Sequence, residues 1–572
     1  MGAGPTRLLT LAPDVAAEVQ ALDYDTFGEL WEESTPAERP ALFRARARTD
    51  LEILARTCFA DRFELDWSPV HSAFLLAPKT GWRERKHQEW TAWVAPRGGA
   101  KSSFRSFLTI VHDVAYGLEA CICMFSTSYQ LSEALVTDLF EVFTKPDAYP
   151  ELHALYGPFK VSGTKTAFSV SCPTGDPKGT QILAMSFGGT IRGHKFAGVR
   201  PTKFCLDDTV HPKHVKSAEQ RDGAWSFLQK DIGRAGWTYT VVDLVGTIQH
   251  ADDLVARAVT SPKTRFRVRQ WANLIAWPTN TGLWDACRAL WANLADPERE
   301  DTARAFYVAH KAAMDEGAEV LWPEGRPLFE IMLTFWSEPA AFWSEDQNQP
   351  RDPTTSLFNV DREDEPGLIR RCTFDGRTIR PSQRPPLNIN DCTVAIWLDS
   401  SKGKAKSDYP AICVVARDRD GWRYWLRCDL TRRQPTIQHQ ALWATWEHFA
   451  GARPKVGFDA TGTQDLAGEA MERIREERRR NRQPWDMDLR AYEYNSSTGS
   501  AVDLITEWEP ALTNGWVEVA ADLPAEAWAQ LRDFTPTGRG TKHDDALAAA
   551  ERADWLLSSS LPTVGRARGL GG

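Results

Sequence analysis

A short loop of small residues that ends in lysine and serine is the first candidate for chemistry. It follows an apolar strand candidate at 91–95 and precedes an apolar helical stretch. The backbone N–H groups of such a loop, together with the N-terminus of the helix, can receive phosphate oxygens. The loop predicts a nucleotide site in which Lys101 contacts the β- and γ-phosphates and Ser102 ligates Mg²⁺. The expected phosphate-binding residues are Gly98, Gly99, Ala100, Lys101, Ser102 and Ser103.

The loop departs from the pattern G-x-x-x-x-G-K-[ST] at both glycines, which are replaced by Ala95 and Ala100. Alanine lacks the access of glycine to positive φ. We expect Gly98 and Gly99 to supply the flexibility instead. An ordinary glycine-containing turn between a strand and a helix is the alternative interpretation.

Two adjacent acids, Asp207 and Asp208, end a second apolar strand candidate at 203–208. A P-loop requires an acid in such a position to help hold Mg²⁺. We therefore expect Asp207 to bind the metal and Asp208 to orient the attacking water. The alternative is a strand that ends in two helix-capping acids. The loop and the acid pair, in this order, predict ATP hydrolysis.

A third strand candidate, 239–247, ends in a Gly-Thr turn. A hydroxyl at this position can sense the γ-phosphate, so Thr247 is added to the candidate ATP site. Because many strands end in glycine or a polar residue, this turn alone does not identify a site.

Three further carboxylates follow a strand, strand, helix order in the last third of the chain. Asp399 lies in a strand, Asp459 ends another, and Asp544 and Asp545 start a C-terminal helix. Two divalent ions in a nuclease must be held by several carboxylates, so the order predicts a two-metal site. Solvated acids at the ends of strands are the alternative.

The ordered motifs resemble the large terminase subunit of tailed bacteriophages, a family of DNA-packaging motors. The resemblance covers roughly residues 90–555. It is carried by the Asp207-Asp208 strand and by five segments, namely GGTIRG (188–193), GVRP (198–201), GTIQHADDL (246–254), LWPEG (321–325) and SEDQNQPRDP (344–353).

The resemblance implies roles for further residues. Arg97 matches an arginine beside the phosphate-binding turn. Arg192 lies where the family presents an arginine finger to a neighbouring subunit, although a buried or DNA-facing arginine is the rival. The nuclease ligands would be Asp399, Asp459 and Asp544 or Asp545, with Asp408 as an accessory acid. Asp459 stands where relatives often carry Glu, and its shorter reach could shift the metal spacing.

The same resemblance implies the activity and its partners. ATP and Mg²⁺ would drive double-stranded DNA into a procapsid, and two Mg²⁺ or Mn²⁺ would support endonucleolytic cleavage of concatemeric DNA. The partners would be the portal protein, the small terminase subunit and further copies of the chain. A pentameric ring is expected when the chain is docked, and a monomer is expected in solution. The expected location is the host cytoplasm, transiently on the procapsid.

Strands that alternate with helical segments predict an α/β fold. We expect a P-loop ATPase domain with a mainly parallel sheet, and the resemblance to the terminase family implies that a ribonuclease-H-like α/β nuclease domain follows it. The predicted divisions are a helical N-terminal region at 1–89, the ATPase domain with a linker subdomain at 90–350, a linker at 351–390, the nuclease domain at 391–556 and a tail at 557–572.

Composition sets bounds on these interpretations. The 572 residues carry a formal net charge of −9, which argues against a protein that simply coats DNA. DNA contact must then come from patches, and the run 478–482 and the segment 263–269 are the candidates. Ion pairs on a solvated helix and protection of an edge strand are their alternatives. We expect no membrane span and no secretion, and the ten scattered cysteines suit reduced thiols.

Two other functions remain open from the sequence. One is a P-loop helicase or repair ATPase fused to a resolvase-type nuclease, although helicase motifs are not found after residue 247. The other is a non-catalytic assembly protein with degenerate motifs, for which the two missing loop glycines are the only support.

Overall fold

A computed structural model describes most of the chain. The described residues are 11–76, 80–191, 193–210, 217–261, 264–350, 356–361, 367–400, 410–459, 464–487, 489–492, 500–536 and 543–558. None of the helices in these ranges combines the length and the apolar character that crossing a bilayer requires.

The helices are distributed along the whole described chain. In order they are α1 (Pro13–Ala21), α2 (Tyr24–Glu33), α3 (Arg39–Ala47), α4 (Leu51–Cys58), α5 (Pro69–Phe74), α6 (Thr109–Ala115), α7 (Tyr129–Thr144), α8 (Pro150–Tyr156), α9 (Ala218–Phe227), α10 (Gly233–Ala235), α11 (Leu254–Thr260), α12 (Thr281–Trp291), α13 (Arg299–Met314), α14 (Leu328–Ser337), α15 (Pro339–Ala341), α16 (Pro435–His448), α17 (Gln464–Arg480), α18 (Ala501–Glu507), α19 (Glu509–Thr513), α20 (Ala525–Asp533) and α21 (Asp545–Ser558).

The strands form two large sheets and one small one. In order they are β1 (Glu89–Val94), β2 (Cys121–Ser126), β3 (Lys160–Thr164), β4 (Ala167–Ser171), β5 (Thr180–Ser186), β6 (Lys203–Asp207), β7 (Val241–Gly246), β8 (Arg267–Gln270), β9 (Leu274–Ala276), β10 (Glu319–Val320), β11 (Arg371–Phe374), β12 (Thr378–Arg380), β13 (Leu387–Asn388), β14 (Thr393–Asp399), β15 (Ala411–Arg417), β16 (Arg423–Asp429), β17 (Lys455–Asp459), β18 (Leu489–Tyr492) and β19 (Val517–Ala520).

The chain divides into two units. Unit 1 consists of residues 1–279 and 315–351, and unit 2 consists of residues 280–314 and 352–572. This division differs from the predicted ATPase domain at 90–350, because the helical pair α12 and α13 belongs to unit 2. The sequence does not reveal this, since the pair is an ordinary amphipathic hairpin whose partner lies far away along the chain.

Unit 1 is built on an eight-stranded sheet in the order β3-β4-β5-β2-β6-β7-β1-β8. The strands from β5 to β8 pair in parallel, and β3 and β4 pair antiparallel at one edge. β2 and β6 are buried along their whole length, as expected of parallel strands with both faces covered. The predicted α/β fold with a mainly parallel sheet is confirmed.

Unit 2 contains a nine-stranded sheet in the order β13-β12-β11-β19-β16-β15-β14-β17-β18. β14, β15 and β16 form an antiparallel meander, and β17 and β18 continue in parallel from the other side of β14. Helix α21 packs across β14 and β15. Two of the acids that the sequence predicts for a nuclease, Asp399 and Asp459, end strands of this sheet.

The structure corrects the prediction of a linker at 351–390, because this segment supplies three strands to the sheet of unit 2. β11 pairs with β19, and β12 and β13 extend the edge. Buried Glu518 accepts hydrogen bonds from the N–H of Ser382 at 2.8 Å and from Arg384 Nη2 at 3.0 Å. Strands of two to four residues are too short to show a period of two, so the segment reads as irregular.

Candidate nucleotide and metal sites

The loop between β1 and the following helix has the backbone of an anion-binding turn. Gly98 has φ +79° and Ala100 has φ +54°, whereas Lys101 is right-handed helical at φ −51°. A backbone that alternates between left-handed and right-handed conformations points successive N–H groups into one concavity. Ala100 therefore adopts the conformation expected of a glycine, although its Cβ makes that costly by about 1–2 kcal/mol.

Lys101 and Ser102 begin the helix directly after this loop. Lys101 is buried, and its Nζ lies 3.7 Å from Asp208 Oδ1. Ser102 Oγ donates a hydrogen bond of 2.9 Å to Asp207 Oδ1. Ser102–Leu108, which includes Ser103, is a π-helical stretch that leads into α6. The structure thus brings the lysine, the hydroxyl and both predicted acids together.

Asp207 is a buried carboxylate at the end of β6, with 4% of its surface exposed. Burial and the neighbouring charge of Asp208 raise its pKa to about 7, against the lowering effects of Ser102, Lys101 and Ser106. Asp208 follows with φ +43° and a half-exposed side chain. A carboxyl group with a pKa this high is poised to ionise when a cation arrives.

Thr247 ties two strand ends together at this edge of the sheet. Its Oγ1 donates a hydrogen bond of 3.0 Å to the carbonyl of Ala95, the first residue of the loop. The hydroxyl is thereby engaged with the loop backbone. The γ-phosphate contact that the sequence predicts for Thr247 would involve this same hydroxyl.

Arg97 projects from the loop towards Glu345. Its Nη1 lies 3.0 and 3.1 Å from the two carboxylate oxygens of Glu345, and its backbone N–H donates to the Glu345 carbonyl at 3.0 Å. This hydrogen-bonded ion pair raises the pKa of Arg97. The sequence interpretation missed Glu345, although the segment 344–353 that contains it carries the family resemblance.

Asn348, in the same segment, joins the ends of two strands. Its Oδ1 accepts the N–H of Ile248 at 2.9 Å, and its Nδ2 donates to the carbonyl of Trp271 at 2.9 Å. Its carbonyl accepts from Gln270 Nε2 at 3.0 Å. Asn348 itself has φ +51°. The signal for this residue was also present only as a resemblance.

A cavity of about 460 Å³ lies beside the loop, on the β8 side of β1. Arg97, Gly98 and Gly99 line one wall, and Trp322 and Arg326 line another. At its base, buried Asp346 accepts a hydrogen bond of 2.6 Å from Asn273 Nδ2 and lies 3.3 Å from Arg326 Nη2. The sequence interpretation did not find this cavity because its walls are remote from one another along the chain.

A buried charge network supports the strands under the loop. Asp243 of β7 accepts hydrogen bonds from Arg105 Nη2 at 3.0 Å and from Trp93 Nε1 at 2.9 Å, and Lys203 Nζ lies 3.6 Å away. Burial alone would raise the pKa of Asp243, but Arg105 and Lys203 outweigh burial and the pKa is lowered. Lys203 also contacts Asp113 at 2.7 Å. The network aligns β1, β6 and β7, which carry the loop and its partners.

Asp399 and Asp459 lie at the ends of neighbouring parallel strands of unit 2. Leu398 of β14 is in register with Phe458 of β17, so the two aspartates are the next residues on adjacent strands. Adjacent strands are about 4.8 Å apart. The fold therefore brings these two sequence positions side by side.

The first turn of α21 approaches the same region. The carbonyl oxygen of Ala546 lies 3.4 Å from the Sγ of Cys413 in β15, and Cys413 pairs with Trp397 of β14. Asp545 is buried, Asp544 is partly buried, and His543 Nδ1 lies 3.6 Å from Asp545 Oδ2. The third carboxylate position predicted for the nuclease, Asp544 and Asp545, thus lies near the end of β14.

Arg192 and Asp408 lie outside the described residues, as does the side chain of Asp459. Among the described side chains, no group of three His, Cys, Asp or Glu residues is arranged to hold a metal. The donor chemistry nevertheless suits hard divalent cations, since every predicted ligand is a carboxylate or a hydroxyl.

The arginine-rich helix α17 is largely paired with acids. Arg478 contacts Glu447 at 2.7 Å, Arg475 contacts Glu472 at 2.8 Å and Arg480 lies 3.7 Å from Glu476. These pairs favour the solvated-helix interpretation over a bare phosphate-binding patch.

Comparison with known families addresses unit 2 directly. Residues 396–553 match the family model described as the terminase RNaseH-like domain. The predicted resemblance to the terminase family is thereby confirmed. The match begins within β14 and ends within α21, so it spans Asp399, Asp459, Asp544 and Asp545.

Two solved structures are similar to the chain at low identity. The large terminase from a thermophilic bacteriophage has 10% identity and a TM-score of 0.36, covering 85% of this chain and 98% of that one. The human cytomegalovirus terminase nuclease domain has 10% identity and a TM-score of 0.23, covering 29% of this chain and 82% of that one. No match is found among curated proteins.

Proposed function

We propose that the chain is a large terminase subunit, which couples ATP hydrolysis in unit 1 to the translocation of double-stranded viral DNA into a procapsid. Unit 2 would cleave concatemeric DNA with divalent metal. The observation that carries the proposal is the terminase RNaseH-like match across the predicted carboxylates of unit 2. The loop and acid geometry of unit 1 supports the ATPase half.

In unit 1, the loop residues Arg97–Ser103 would receive the ATP phosphates, and Lys101 would neutralise their charge. Ser102 and Asp207, already joined by a hydrogen bond, have the oxygens to hold Mg²⁺. Mg²⁺, when bound, would neutralise charge that develops on the phosphates. Asp208, with its exposed carboxylate beside Lys101, would orient the attacking water, and Thr247 would respond to the γ-phosphate.

The cavity beside the loop suits the nucleoside end of ATP. It lies on the β8 side of the loop, away from Asp207, and it combines the Trp322 ring with polar groups from Arg326 and Asp346. A base and ribose need this mixture of apolar surface and hydrogen-bonding groups.

In unit 2, Asp399, Asp459 and Asp544 or Asp545 would hold two Mg²⁺ or Mn²⁺ ions at the shared end of β14 and β17. Two such ions activate water and stabilise the leaving oxygen of a phosphodiester. The carboxylates of this chain would hold the ions and orient the scissile phosphate between them.

The proposal includes the partners that packaging requires. They are double-stranded DNA, the portal protein, the small terminase subunit and further copies of the chain in a ring, in the host cytoplasm at the procapsid. Arg192 would serve as the finger arginine towards a neighbouring subunit.

The terminase match favours this function over a helicase fused to a resolvase. The positive φ of Ala100 also weakens the case for a degenerate assembly protein, because the missing glycine does not prevent the loop conformation.

The two halves can be tested with crossed variants of the full chain. We expect Lys101→Ala to abolish ATP turnover while leaving Mn²⁺- or Mg²⁺-dependent plasmid cleavage measurable, because the lysine lies in unit 1. We expect Asp399→Ala to do the reverse. ATP turnover at the wild-type rate in Lys101→Ala would refute the loop assignment, and unchanged plasmid cutting by Asp399→Ala would refute the nuclease site.

A further inference from the structure

A second cavity in unit 1, of about 450 Å³, lies at the N-terminal ends of the parallel strands, whereas the candidate nucleotide loop lies at their C-terminal ends. Its walls come from residues that immediately precede strands: Lys86 before β1, Arg200 before β6 and Trp237 before β7. These strands run in parallel, and Ala95 and Asp207 lie at their carboxyl ends. The cavity is therefore separate from the candidate ATP site.

The lining of the cavity is cationic. Lys86, Arg200 and Arg234 contribute positive charge, and none of the described residues that line the cavity carries a carboxylate. Within the described part of the chain, these three side chains make no ion pair, whereas many other arginines of unit 1 are paired with acids. Lys86 and Arg234 are exposed. Unpaired cations gathered in one concavity attract an anionic ligand.

An exposed tryptophan is held in place beside these cations. Trp237 has 53% of its surface exposed, and the Arg200 guanidinium lies 5.3 Å from the centre of its ring. Arg200 Nη1 donates to the carbonyl of Arg234 at 3.3 Å, and Gln88 Nε2 donates to the carbonyl of Trp237 at 3.0 Å. These contacts orient Arg200 and Trp237 without neutralising the arginine.

We propose that this cavity binds the phosphodiester backbone of duplex DNA. Lys86, Arg200 and Arg234 would donate to phosphate oxygens, the commonest protein contacts to DNA. Trp237 would pack against a deoxyribose, which a free phosphate does not offer. A cavity of this size admits one phosphate and its sugar rather than a duplex, so the contact would be independent of base sequence.

The proposal rests on the proposed function, since it names a surface by which the same motor would hold its DNA. It places DNA contact and ATP at opposite ends of the same strands, β1, β6 and β7. The DNA-contact segments expected from sequence, 263–269 and 478–482, do not include any residue of this cavity.

The test measures binding of the full chain to a labelled duplex of about 30 base pairs by fluorescence anisotropy, in EDTA and without nucleotide, over a range of salt concentrations. We expect Lys86→Glu with Arg234→Glu to weaken binding at least about tenfold and to reduce the slope of log K against log salt by about 2, since each lost phosphate contact removes about 0.9. Trp237→Ala should weaken binding with little change in that slope.

Two control variants define the comparison. Lys160→Glu with Lys178→Glu makes the same change in net charge at exposed positions near the β3 edge of the sheet, and it should keep wild-type affinity. Lys86→Arg with Arg234→Lys keeps the charges and should bind within about twofold of wild type.

Three outcomes would overturn the proposal. They are an unchanged affinity and salt slope in the Lys86→Glu, Arg234→Glu variant, an equal loss in the Lys160→Glu, Lys178→Glu variant, and competition by poly-L-glutamate as effective as by unlabelled duplex. The last outcome would indicate an acidic protein as the partner. Because nucleotide and metal are absent, the result is independent of the ATPase and cleavage assays.

Discussion

At the scale of single residues, the candidate ATP site depends on two backbone conformations that side chains rarely adopt. Ala100 and Asp208 both have positive φ, and they flank the buried Lys101 and Asp207. Conformations of this kind persist where the surrounding structure holds them, and they cluster at functional sites. The loop motif therefore tolerates alanine at the last glycine position at a cost in stability.

We expect Ala100→Gly to stabilise unit 1 by up to about 1 kcal/mol, because relief of the left-handed strain exceeds the added entropy of the unfolded chain. Thermal unfolding and nucleotide affinity would measure this, and affinity should be retained. Gly98→Ala is the matched control, since a Cβ there meets no atom within 4 Å and only φ +79° opposes it. That variant should be destabilised, and a less stable Ala100→Gly would contradict the argument.

The raised pKa of Asp207 predicts a pH dependence of nucleotide binding. In the proposed site, Mg²⁺–nucleotide binding requires the ionised carboxylate of Asp207, so affinity should rise with pH through a midpoint near 7. The same shift makes the folded state bind more protons than the unfolded state above the ordinary Asp pKa of 3.8. The contribution of Asp207 to stability should therefore fall as pH rises from about 4 to 7, and then level off.

Two substitutions should move this midpoint in opposite directions. Ser106 lowers the pKa of Asp207 and Asp208 raises it, so Ser106→Ala should raise the midpoint and Asp208→Asn should lower it. Fluorescent-nucleotide titrations from pH 5.5 to 8.5 would show both. Parallel shifts in the same direction would be inconsistent with titration of Asp207.

At the scale of elements, the short strands β11 to β13 are attached to unit 2 by a buried charge. Glu518 is fully buried, and Arg384, which is partly exposed, lies over the Trp422 ring at 3.7 Å. A buried carboxylate needs such partners, because burial without them costs more than the pair contributes.

We expect Glu518→Gln to lower the free energy of unfolding by about 2–3 kcal/mol, somewhat less than for a fully buried pair because Arg384 is partly exposed to solvent. Urea unfolding of the full chain would measure the change. The control is Arg380→Gln. Arg380 ends β12 and forms an exposed ion pair with Asp375, and the loss of this pair should cost less than about 0.5 kcal/mol. Equal effects of the two variants would refute the structural role of Glu518.

At the scale of the whole molecule, α12 and α13 belong to unit 2, although in the sequence they lie between two stretches of unit 1. Arg288 of α12 donates to Asn514 Oδ1 from Nη2 at 2.8 Å and from Nε at 3.1 Å. Trp516 Nε1 donates to the carbonyl of Ala292 at 3.0 Å. Unit 2 is thus assembled from two stretches of chain that unit 1 separates.

Arg288→Ala should increase hydrogen exchange in 280–314 and around 513–520, at a cost of about 1–3 kcal/mol, without changing exchange in unit 1. Exchange followed by mass spectrometry would locate the effect. Arg304→Ala on α13, which breaks an exposed pair with Glu300, should leave exchange near wild type. Increased exchange spread over unit 1 would contradict the division into units.

Local chemistry along the chain was sufficient to determine the α/β fold and the candidate site acids. The strands β1, β2, β6 and β7 are mostly apolar. The loop at 95–103 follows one of them, and the acid pair Asp207-Asp208 lies at the end of another. Side chains at the carboxyl ends of parallel strands meet at one edge, so the meeting of Lys101, Ser102 and Asp207 follows from these local patterns.

Tertiary structure alone decided the features whose partners are remote along the chain. Glu345 meets Arg97, Asn514 meets Arg288, and Glu518 anchors a segment whose strands are too short to show periodicity. The backbone of Ala100 is a further case, since residue type argues against positive φ and only the surrounding contacts impose it. Periodicity and spacing report neighbours within one element, whereas these contacts join separate elements.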